Sequence, residues 1–420
     1  MQASISKSEA VGKAAAPSSK SYTIRGLICA ALAAGKSEII SPLASDDTKA
    51  AISVLKKIGV NIRLQKAGWK VDGGNFQTPA SDLFCGDSAA TLRFMTAIGA
   101  LVPGTIRLTA GPSLARRPVR VLIEALQQLN VKCSADGEFP PVTVSGGKFT
   151  GGSTCLPGNI SSQYVSALLH IAPFAGTGMT VKLTAPLESR PYVMMTLETM
   201  HWFGVNVTFD ENLDKFEVRP QKYQPTKYHV EGDWSSASYL LALGAMAGEI
   251  EVNNLDMESL QGDRLILQFL REMGAHTIAG RSSINIVKSD LKAIKADLSD
   301  CIDLLPTMAV LAAAASGTSV FSGIARARIK ESDRVAAVVD GLTRMGIRVE
   351  ADARHIKITG GNPQGARIDS KGDHRIAMAF SLLGTICGNT VIDSAECVTK
   401  TWPEYWDVLQ NLGVKAVLHG

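Results

Sequence analysis

The sequence predicts an α/β protein of two domains with an inside-out arrangement, in which apolar helices are buried and sheets lie outside. Three observations lead to this prediction: a length of 420 residues, a sixfold repeat of about 70 residues, and a set of helices that are apolar nearly all round. A chain of this length usually exceeds what one core supports, so two domains are expected. The six copies should therefore divide into three and three.

The repeat is visible where an amphipathic helix end is followed by a hinge residue and then by an apolar strand. The hinge positions are Gly59, Asn130, Gly204, Gly274, Gly346 and Gly413. Glycine commonly ends helices in the left-handed conformation, which asparagine also tolerates, so the second copy fits the pattern. A second series of glycines has the same period and ends the small-residue helices: Gly35, Gly104, Gly176, Gly248, Gly317 and Gly388. Two series with one period predict six copies of one unit.

Each unit should contain two helices, of which the first is buried. AATLRFMTAIGALV (89–102) and SYLLALGAMA (238–247) have almost no polar face, and helices of that kind lie inside a protein. The strands alternate instead, as in HIKIT (355–359), which is typical of sheets with one face in water. We therefore expect six pseudo-symmetric βαβαββ units. The predicted domains are 19–231 and 232–420, with residues 1–18 completing the second domain.

Composition and charge exclude several classes of protein. Lys and Arg number 43 against 39 Asp and Glu, a net charge of +4 with no run of five like charges, so bulk nucleic-acid binding is not expected. The longest apolar stretch, 307–317, is too short to span a membrane. The opening MQASISKSEA lacks the apolar core of a signal peptide. We expect a soluble, cytoplasmic protein without a membrane or nucleic-acid partner.

The sequence also contains no recognisable cofactor or metal motif. It lacks a P-loop, a GxGxxG segment opening a helix, and an HExxH pair. Seven cysteines show neither CxxC nor zinc-finger spacing, and an odd number argues against a closed disulfide framework. We expect no cofactor, no metal, and reduced cysteines that lie mostly in the core.

Polar residues are concentrated where the helices are predicted to begin, as in GDHR (372–375). Capping explains Ser, Asp and Gly at such positions, and we take it to be sufficient for Asp46, Asp47 and Asp233. Capping does not explain cations, because a positive charge at a helix N-terminus opposes the helix dipole. The cations concerned are Lys20, Arg25, Arg93, Arg117, Arg334, Arg375 and Lys400.

Cations at equivalent positions of a pseudo-symmetric fold predict a shared ligand with several phosphate or carboxylate groups, held in a cleft between the domains. Asp303 and Glu331 lie among these cations, and anion binding alone does not require them, so they indicate proton transfer. The residues alone do not exclude Asp300 from the role of Asp303. His374, beside Arg375, is expected to position or bind a ligand. The alternative is a non-catalytic anion-binding repeat protein, which leaves the two acids unexplained.

An ordered set of short motifs between about residues 18 and 406 resembles the 5-enolpyruvylshikimate-3-phosphate synthases, an enolpyruvyl transferase family. The motifs are SSKSYTIR (18–25), RRP (116–118), SSQ (161–163), SRPY (189–192), EGDWSSASY (231–239), IKESDR (329–334), GDHRIAMAFSL (372–382) and KTWPEY (400–405). The resemblance implies two domains of three βαβαββ units. It also implies transfer of the enolpyruvyl group of phosphoenolpyruvate to the 5-hydroxyl of shikimate 3-phosphate, with release of phosphate, in a monomeric enzyme.

The resemblance assigns roles to individual residues. Shikimate 3-phosphate binding is implied for Lys20, Ser21, Arg25, Ser161, Ser162, Gln163, Ser189, Tyr192, Asp303, Arg326 and Lys330. Phosphoenolpyruvate binding is implied for Lys20, Ala89, Arg93, Arg117, Gln163, Arg334, Arg375 and Lys400. Glu331 is the candidate for protonating the methylene carbon, with Lys20 also in reach, and Asp303 would orient or deprotonate the 5-hydroxyl.

The chain departs from the family pattern in one loop and at one further position. The family's Gly-Asn-Ala/Ser-Gly-Thr loop corresponds to residues 86–90, with Asp87 in place of the amide and Ala89 in place of a glycine. We expect the Ala89 methyl group to crowd the inhibitor glyphosate more than the shorter substrate, whereas Asp87 has no assigned role. Arg326, for which the resemblance implies a contact with shikimate 3-phosphate, stands where some members have asparagine.

A sister family transfers enolpyruvyl to UDP-N-acetylglucosamine on the same fold. Its members have Lys-Asn where this chain has Lys20-Ser21, and usually a cysteine shortly before the Arg-Pro pair. The corresponding segment here, GPSLARRP (111–118), has no cysteine. These differences favour shikimate 3-phosphate as the acceptor.

Overall fold

The computed structural model describes residues 1–65 and 68–420, and the chain forms two compact units. The N-terminal unit comprises Ser18–Glu231, and the C-terminal unit comprises Met1–Pro17 together with Gly232–Gly420. Ser18 therefore belongs to the N-terminal unit, one residue away from the expected boundary. Residues 1–17 form β1 (Gln2–Ser6) and β2 (Ala10–Ala15).

The N-terminal unit contains strands that are mostly short. They are β3 (Gly35–Ile40), β4 (Asn61–Gln65), β5 (Gly68–Gly73), β6 (Leu83–Phe84), β7 (Gly104–Thr109), β8 (Lys132–Asp136), β9 (Phe139–Gly146), β10 (Gly152–Leu156), β11 (Met179–Leu183), β12 (Thr208–Phe209), β13 (Lys215–Val218) and β14 (Lys227–His229). Its α-helices are α1 (Lys20–Leu32), α2 (Asp46–Lys57), α3 (Ala89–Ile98), α4 (Arg120–Gln128), α5 (Ser162–Ile171) and α6 (Arg190–Trp202).

The C-terminal unit repeats the same succession of elements. Its remaining strands are β15 (Gly248–Asn253), β16 (His276–Ala279), β17 (Ser283–Val287), β18 (Lys295–Asp297), β19 (Thr318–Ser322), β20 (Arg348–Ala351), β21 (Ile356–Thr359), β22 (Arg367–Asp369), β23 (Thr390–Asp393) and β24 (Lys415–His419). Its α-helices are α7 (Trp234–Ala247), α8 (Ile266–Glu272), α9 (Leu305–Ala314), α10 (Arg334–Arg344), α11 (His374–Cys387) and α12 (Tyr405–Asn411).

Each copy of the repeat forms one four-stranded mixed sheet. In the copy that contains α5 and α6, β10 runs parallel to β11, and the hairpin β12–β13 lies antiparallel beside β11. The strand order is therefore β10–β11–β13–β12. The other copies have the equivalent orders β14–β3–β5–β4, β6–β7–β9–β8, β2–β15–β17–β16, β18–β19–β21–β20 and β22–β23–β1–β24. The prediction of six βαβαββ units is confirmed.

Three copies are completed by strands distant in sequence. β14 supplies the first strand of the copy that contains α1 and α2. In the C-terminal unit, β2 pairs with β15, and β1 lies between β23 and β24. In sequence order, β1 and β2 therefore precede the N-terminal unit, although both strands belong to sheets of the C-terminal unit.

The first helix of each copy is buried, as its composition predicts. Every residue of α7 is buried, and α11 is buried from His374 to Thr385. The second helices keep one exposed face, as α2 does. The strands alternate, since β21 buries Ile356 and Ile358 and turns Lys357 to solvent. Each unit has its own apolar core around its inner helices.

The two glycine series have different outcomes. All six hinge residues have φ between 60° and 98°, a left-handed region that glycine and asparagine tolerate best. The second series follows the inner helices but has no single backbone conformation: Gly35, Gly104, Gly317 and Gly388 have φ between 78° and 123°, Gly248 is extended with φ 170°, and in the copy of Gly176 the left-handed residue is Gly178 with φ 82°. The 3₁₀ helix Ala172–Phe174 follows α5 and delays the start of β11, which displaces the turn glycine.

The cysteines are free, but the core expectation is only partly correct. Cys29, Cys85 and Cys301 are buried. The other four are partly or fully exposed: Cys133, Cys155, Cys387 and Cys397. Cys133 and Cys155 lie on half-exposed strands, where alternation places every second side chain toward solvent.

Candidate active site

Arg25 lies in the second turn of α1 and is buried. Its Nε donates to Thr196 Oγ1 at 2.8 Å, Nη1 to the Ser21 carbonyl at 3.1 Å, and Nη2 to the Tyr192 carbonyl at 2.9 Å. The guanidinium also lies 5.5 Å from the centre of the Phe94 ring. Burial lowers the pKa of Arg25, but an arginine remains charged at neutral pH. These partners are all neutral, so they orient the positive charge without cancelling it.

Arg93 connects the start of α5 to the segment that carries Arg117. Its Nη1 donates to Gln163 Oε1 at 2.8 Å and to Ser161 Oγ at 3.2 Å, and its Nη2 donates to the Pro118 carbonyl at 3.3 Å. The guanidinium stacks over the Tyr164 ring, 4.9 Å from its centre. Arg93 therefore holds other candidate residues in place within the N-terminal unit.

The serines assigned to phosphate binding lie at the starts of two neighbouring helices. Ser161 is the N-cap of α5 and accepts the N–H of Gln163 at 3.3 Å, and Ser162 is the first helical residue. Ser189 precedes α6 in a left-handed conformation with φ 53°. α5 and α6 are linked by Thr196, whose hydroxyl donates to Ser166. Hydroxyls and free N–H groups at helix starts are suited to a phosphate.

Lys20 is the first residue of α1, and its Nζ lies 2.9 Å from Asp47 Oδ2. Capping is therefore an incomplete account of Asp47, because the carboxylate is buried at the start of α2 and pairs with a candidate catalytic lysine. Sequence reasoning missed this role, since an aspartate at a helix start looks the same whether it caps or pairs.

Arg334 is the centre of an ionic cluster in the C-terminal unit. It is the first residue of α10, and its side chain is 1% exposed. Its Nε donates to Asp373 Oδ2 at 2.8 Å, Nη1 to Asp303 Oδ1 at 2.8 Å, and Nη2 to Glu331 Oε2 at 2.6 Å. Burial alone would lower the pKa of Arg334, but the three carboxylates raise it above its usual value.

The carboxylate of Asp303 forms ion pairs with three cations. Its Oδ1 lies 3.0 Å from Lys330 Nζ and 2.8 Å from Arg334 Nη1, and its Oδ2 lies 3.0 Å from Arg375 Nη2. Burial would raise the pKa of Asp303, but the positive charges of Arg375, Lys330 and Arg334 outweigh it and hold that pKa well below its usual value. Removal from water also lowers the pKa of Lys330, to about 8.

The remaining members of the cluster extend it at two sides. Lys400 Nζ lies 3.6 Å from Glu331 Oε1. Asp373 caps α11 by accepting the N–H of Arg375 at 3.0 Å, and its other oxygen binds Arg334. Asp373 is a second residue whose role the sequence did not show. We name this set the carboxylate network; it comprises Asp303, Lys330, Glu331, Arg334, Asp373, Arg375 and Lys400.

Three other residues lie in the C-terminal unit. Asp263, on the 3₁₀ helix Gly262–Leu265, is buried and accepts the Ser235 hydroxyl. Burial and the negative charge of Asp303 raise the pKa of Asp263 to about 6. His374 is buried, with Nδ1 3.7 Å from Asp373 Oδ1. Arg326 donates to the Ser299 carbonyl at 2.8 Å, and no observation assigns it a ligand.

The expectation that all seven cations lie at helix starts is corrected by the structure. Lys20 and Arg334 begin helices and Arg375 is the second residue of α11, but Arg25 and Arg93 lie in second turns. Arg117 follows the 3₁₀ helix Leu114–Arg116, and Lys400 ends the 3₁₀ helix Ala395–Lys400. Short 3₁₀ turns lack the periodicity that reveals an α-helix, so the sequence did not separate them from helix starts.

The two sets of residues have different chemical capacities. Apart from the Lys20–Asp47 ion pair, the set in the N-terminal unit presents cations and hydroxyls, which can bind anions, whereas the carboxylate network combines acids with cations and can move protons. Across residues 1–65 and 68–420, no group of three His, Cys, Asp or Glu side chains is arranged to hold a metal ion. None of the helices in that part of the chain is long and apolar enough to cross a membrane.

Comparison with known proteins gives consistent results. Residues 6–409 match the family model described as EPSP synthase (3-phosphoshikimate 1-carboxyvinyltransferase). A 3-phosphoshikimate 1-carboxyvinyltransferase of Dehalococcoides mccartyi is 49% identical over 419 residues, 99% of each chain. One from Methanospirillum hungatei is 39% identical over 96% of each chain.

Solved structures show the same likeness. An EPSP synthase of Acinetobacter baumannii superposes with a TM-score of 0.84 at 26% identity, with all of both chains covered. The enolpyruvyl transferase NikO of Streptomyces tendae superposes with a TM-score of 0.81 at 14% identity, covering 99% of this chain and 98% of that one. The second likeness concerns the fold alone.

Proposed function

We propose, from the premise that this chain belongs to the EPSP synthase family, that it transfers the enolpyruvyl group of phosphoenolpyruvate to the 5-hydroxyl of shikimate 3-phosphate. The product retains the enolpyruvyl group in ether linkage, and inorganic phosphate leaves. Enolpyruvyl transfer in the shikimate pathway is the activity for which the family is named. The observation that carries the mechanism is the pairing of two carboxylates, Asp303 and Glu331, on the single buried guanidinium of Arg334.

The reaction is an addition followed by an elimination. The methylene carbon of phosphoenolpyruvate gains a proton while the 5-hydroxyl oxygen bonds to C2 and loses its own proton, which gives a tetrahedral intermediate. Loss of a proton from the methyl group and departure of phosphate then restore the double bond. A carbon acid and an oxygen base are both needed, and one group can reverse its role between the two steps.

Glu331 is proposed as the acid that protonates the methylene carbon, with Lys20 as the other candidate. Asp303 is proposed to orient or deprotonate the 5-hydroxyl. The low pKa of Asp303 keeps it ionised at neutral pH, which supports its role as hydrogen-bond acceptor for that hydroxyl. The negative charge of Asp303 is stabilised by ion pairs with Lys330, Arg334 and Arg375. When anionic substrate groups bind those cations, this stabilisation will weaken and Asp303 will become more basic.

The acceptor is proposed to be bound mainly by the N-terminal unit. The Arg25 guanidinium, beside Ser21, would receive the shikimate carboxylate, because its positive charge is oriented by neutral partners. Ser161, Ser162 and Ser189, at the starts of α5 and α6, would bind the 3-phosphate. The other proposed contacts of the acceptor are Lys20, Gln163, Tyr192, Asp303, Arg326 and Lys330.

The donor is proposed to be held by cations of both units. Arg117, Arg375 and Lys400 would bind its phosphate and carboxylate groups, and Arg334 would act chiefly through the carboxylates it already binds. The other proposed contacts of the donor are Lys20, Ala89, Arg93 and Gln163. The cleft expected from the sequence stays a prediction, and so does the cytoplasmic location. The monomeric state is also a prediction, and light scattering of the purified protein would test it.

The decisive experiment measures phosphate release from phosphoenolpyruvate with shikimate 3-phosphate or UDP-N-acetylglucosamine as acceptor. We expect release with shikimate 3-phosphate and none above background with the sugar nucleotide. Release with the sugar nucleotide alone would identify the sister reaction. Absence of release with both would support the non-catalytic alternative, in which binding of phosphoenolpyruvate persists without turnover.

Ala89 gives a separate test of the donor site. It is the first residue of α3 and is 6% exposed, so a methyl group there lies at a close-packed surface. Substitution Ala89→Gly should lower the inhibition constant for glyphosate by roughly tenfold, since one buried methyl contact can change binding by 1–3 kcal/mol. Equal inhibition constants in the native protein and the variant would contradict this expectation.

A further inference from the structure

Asp87 joins two segments that carry proposed contacts of phosphoenolpyruvate. It precedes Ser88, the N-cap of α3, and so lies two positions before Ala89. Its Oδ1 accepts the backbone N–H of Leu114 at 2.9 Å. Leu114 begins the 3₁₀ helix Leu114–Arg116, and Arg117 follows it as its C-cap.

The same two segments also meet through their backbones. The N–H of Gly111 donates to the Gly86 carbonyl at 2.7 Å. A Cβ atom on Gly111 would lie 2.7 Å from Asp87 Oδ1, which is closer than real Cβ atoms approach an oxygen. The space for the Asp87 carboxylate is therefore shaped by the glycine at position 111.

Arg117 is consequently held on both sides. Before it, Asp87 fixes Leu114, and the Arg117 N–H donates to the Leu114 carbonyl at 3.0 Å. After it, the Pro118 carbonyl accepts both Arg93 Nη2, at 3.3 Å, and the Tyr164 hydroxyl. The Arg117 side chain is itself buried, with 7% exposure. Its backbone has little freedom as long as both attachments persist.

We propose that Asp87 is a positioning residue that fixes the segment 111–117 and so sets the affinity for phosphoenolpyruvate through Arg117. The inference rests on the proposed function, because it takes Arg117 as a donor contact. A carboxylate makes a stronger bond to an N–H than a neutral amide does, and a negative charge just before α3 is favoured by the helix dipole. Asparagine, the residue usual in the family at this position, offers the same acceptor atom without the charge.

The test is a comparison of Asp87→Ala and Asp87→Asn in the phosphate-release assay, with each substrate varied while the other is saturating. Asp87→Ala should raise KM for phosphoenolpyruvate by roughly tenfold to a hundredfold, since small misplacements of a positioning group have effects of that size. KM for shikimate 3-phosphate should change by less than about twofold. Asp87→Asn should restore KM for phosphoenolpyruvate to within about threefold of the native value, because it keeps the acceptor for Leu114.

Two further variants separate positioning from general damage. Gly111→Ala should reproduce the Asp87→Ala phenotype while Asp87 itself is unchanged, because the new methyl group would displace the carboxylate from Leu114. Asp210→Ala is the matched control: Asp210 Oδ1 accepts the N–H of Asp214 at 2.7 Å in an exposed turn of the same unit. The control should leave both KM values unchanged.

The outcomes distinguish this inference from the proposed function. An unchanged KM for phosphoenolpyruvate in Asp87→Ala would overturn the inference alone, and so would an equal rise in both KM values. Failure of Asp87→Asn to restore affinity would overturn it too, because the charge and not the hydrogen bond would then matter. Absence of phosphate release from the native protein would overturn the proposed function and this inference with it.

Discussion

Two pairs of candidate-site arginines, one pair in each unit, are held in opposite ways. In the N-terminal unit, Arg25 and Arg93 donate to hydroxyls, an amide oxygen and backbone carbonyls. In the C-terminal unit, Arg334 and Arg375 donate to the carboxylates of Asp303, Glu331 and Asp373. Arg25, Arg93 and Arg375 lie near the starts of buried first helices, and Arg334 begins a second helix, all in copies of one repeat. The fold therefore does not determine the kind of partner an arginine receives.

The difference separates binding from proton transfer. An arginine oriented by neutral groups keeps its full charge for an anion, so the N-terminal unit is suited to recognition. An arginine surrounded by carboxylates holds those groups close together without the mutual repulsion they would otherwise have. The carboxylate network is therefore suited to chemistry in which protons move, and four substitutions should break or sharpen this contrast.

The largest effect is expected for Glu331→Gln, which removes the proposed carbon acid and leaves the shape of the side chain. The turnover rate should fall by roughly 10²–10⁴-fold, the usual contribution of a positioned acid or base. Phosphate release under saturating substrates measures it. Glu350→Gln is a suitable control, because Glu350 pairs with Arg348 at 2.7 Å on the surface of the same unit. A native rate in Glu331→Gln would refute the catalytic assignment.

Asp263→Asn should change stability in a pH-dependent way. The folded protein holds the pKa of Asp263 at about 6, above the usual 3.8, so ionisation costs stability as pH rises from about 4 to about 6. Asp263 Oδ1 also has no hydrogen-bond partner within the described chain. At pH 8 the variant should gain roughly 3 kcal/mol at most, because one pKa unit corresponds to 1.36 kcal/mol.

Thermal unfolding at pH 4.5 and pH 8 measures this effect. The difference between variant and native midpoints should be larger at pH 8, where the native carboxyl is ionised. Asp352→Asn, at an exposed turn of the same unit, should show no such widening. If the difference in unfolding midpoint is the same at both pH values, the pKa of Asp263 is not raised in the folded protein.

Arg25→Lys tests the N-terminal unit. Lysine keeps the charge but cannot reproduce three hydrogen bonds from one planar group to Thr196, Ser21 and Tyr192. KM for shikimate 3-phosphate should rise by roughly tenfold to a hundredfold, in line with 1.5–3 kcal/mol for a hydrogen bond to a charged group. The exposed Arg107, changed to lysine, serves as the control. A rise in KM for phosphoenolpyruvate alone would contradict the assignment of Arg25 to the acceptor.

The smallest effect concerns Lys330, whose pKa is lowered to about 8. The side chain is positively charged below about pH 8 and loses this charge above it. The value of kcat/KM for shikimate 3-phosphate should therefore fall by about tenfold between pH 7 and pH 9. Lys330→Arg keeps its charge over this range and should flatten that fall. If native and variant profiles fall together, a different group controls the alkaline limb.

The repeat was predictable because it rests on backbone conformation. Only glycine and asparagine occupy left-handed helix ends cheaply, so the hinge at Asn130 or Gly346 leaves a mark in the sequence. Buried helices were predictable for a similar reason, since α7 has no polar face to place in water. These signals are local, and each repeats six times.

The partners of the site residues were less predictable, because they depend on contacts between distant elements. Arg334 meets Asp373 across 39 positions and Arg25 meets Thr196 across 171. Nothing in the local sequence separates Asp47, which binds Lys20, from Asp233, which caps α7. The family resemblance supplied the roles of ligand-binding residues, but not the residues that hold them in place.

The N-terminal unit interrupts the sequence of the C-terminal unit between Pro17 and Gly232, and this order has a consequence for biosynthesis. β1 is synthesised before the N-terminal unit, yet the strands it pairs with, β23 and β24, are made almost 400 positions later. At 5–20 residues per second β1 must wait roughly 20–80 s for those partners. The N-terminal unit can meanwhile complete its sheets from residues 18–231 alone. Nascent chains thus carry an unpaired β1 until β23 and β24 have been synthesised, and exposed strand edges of this kind are what chaperones protect.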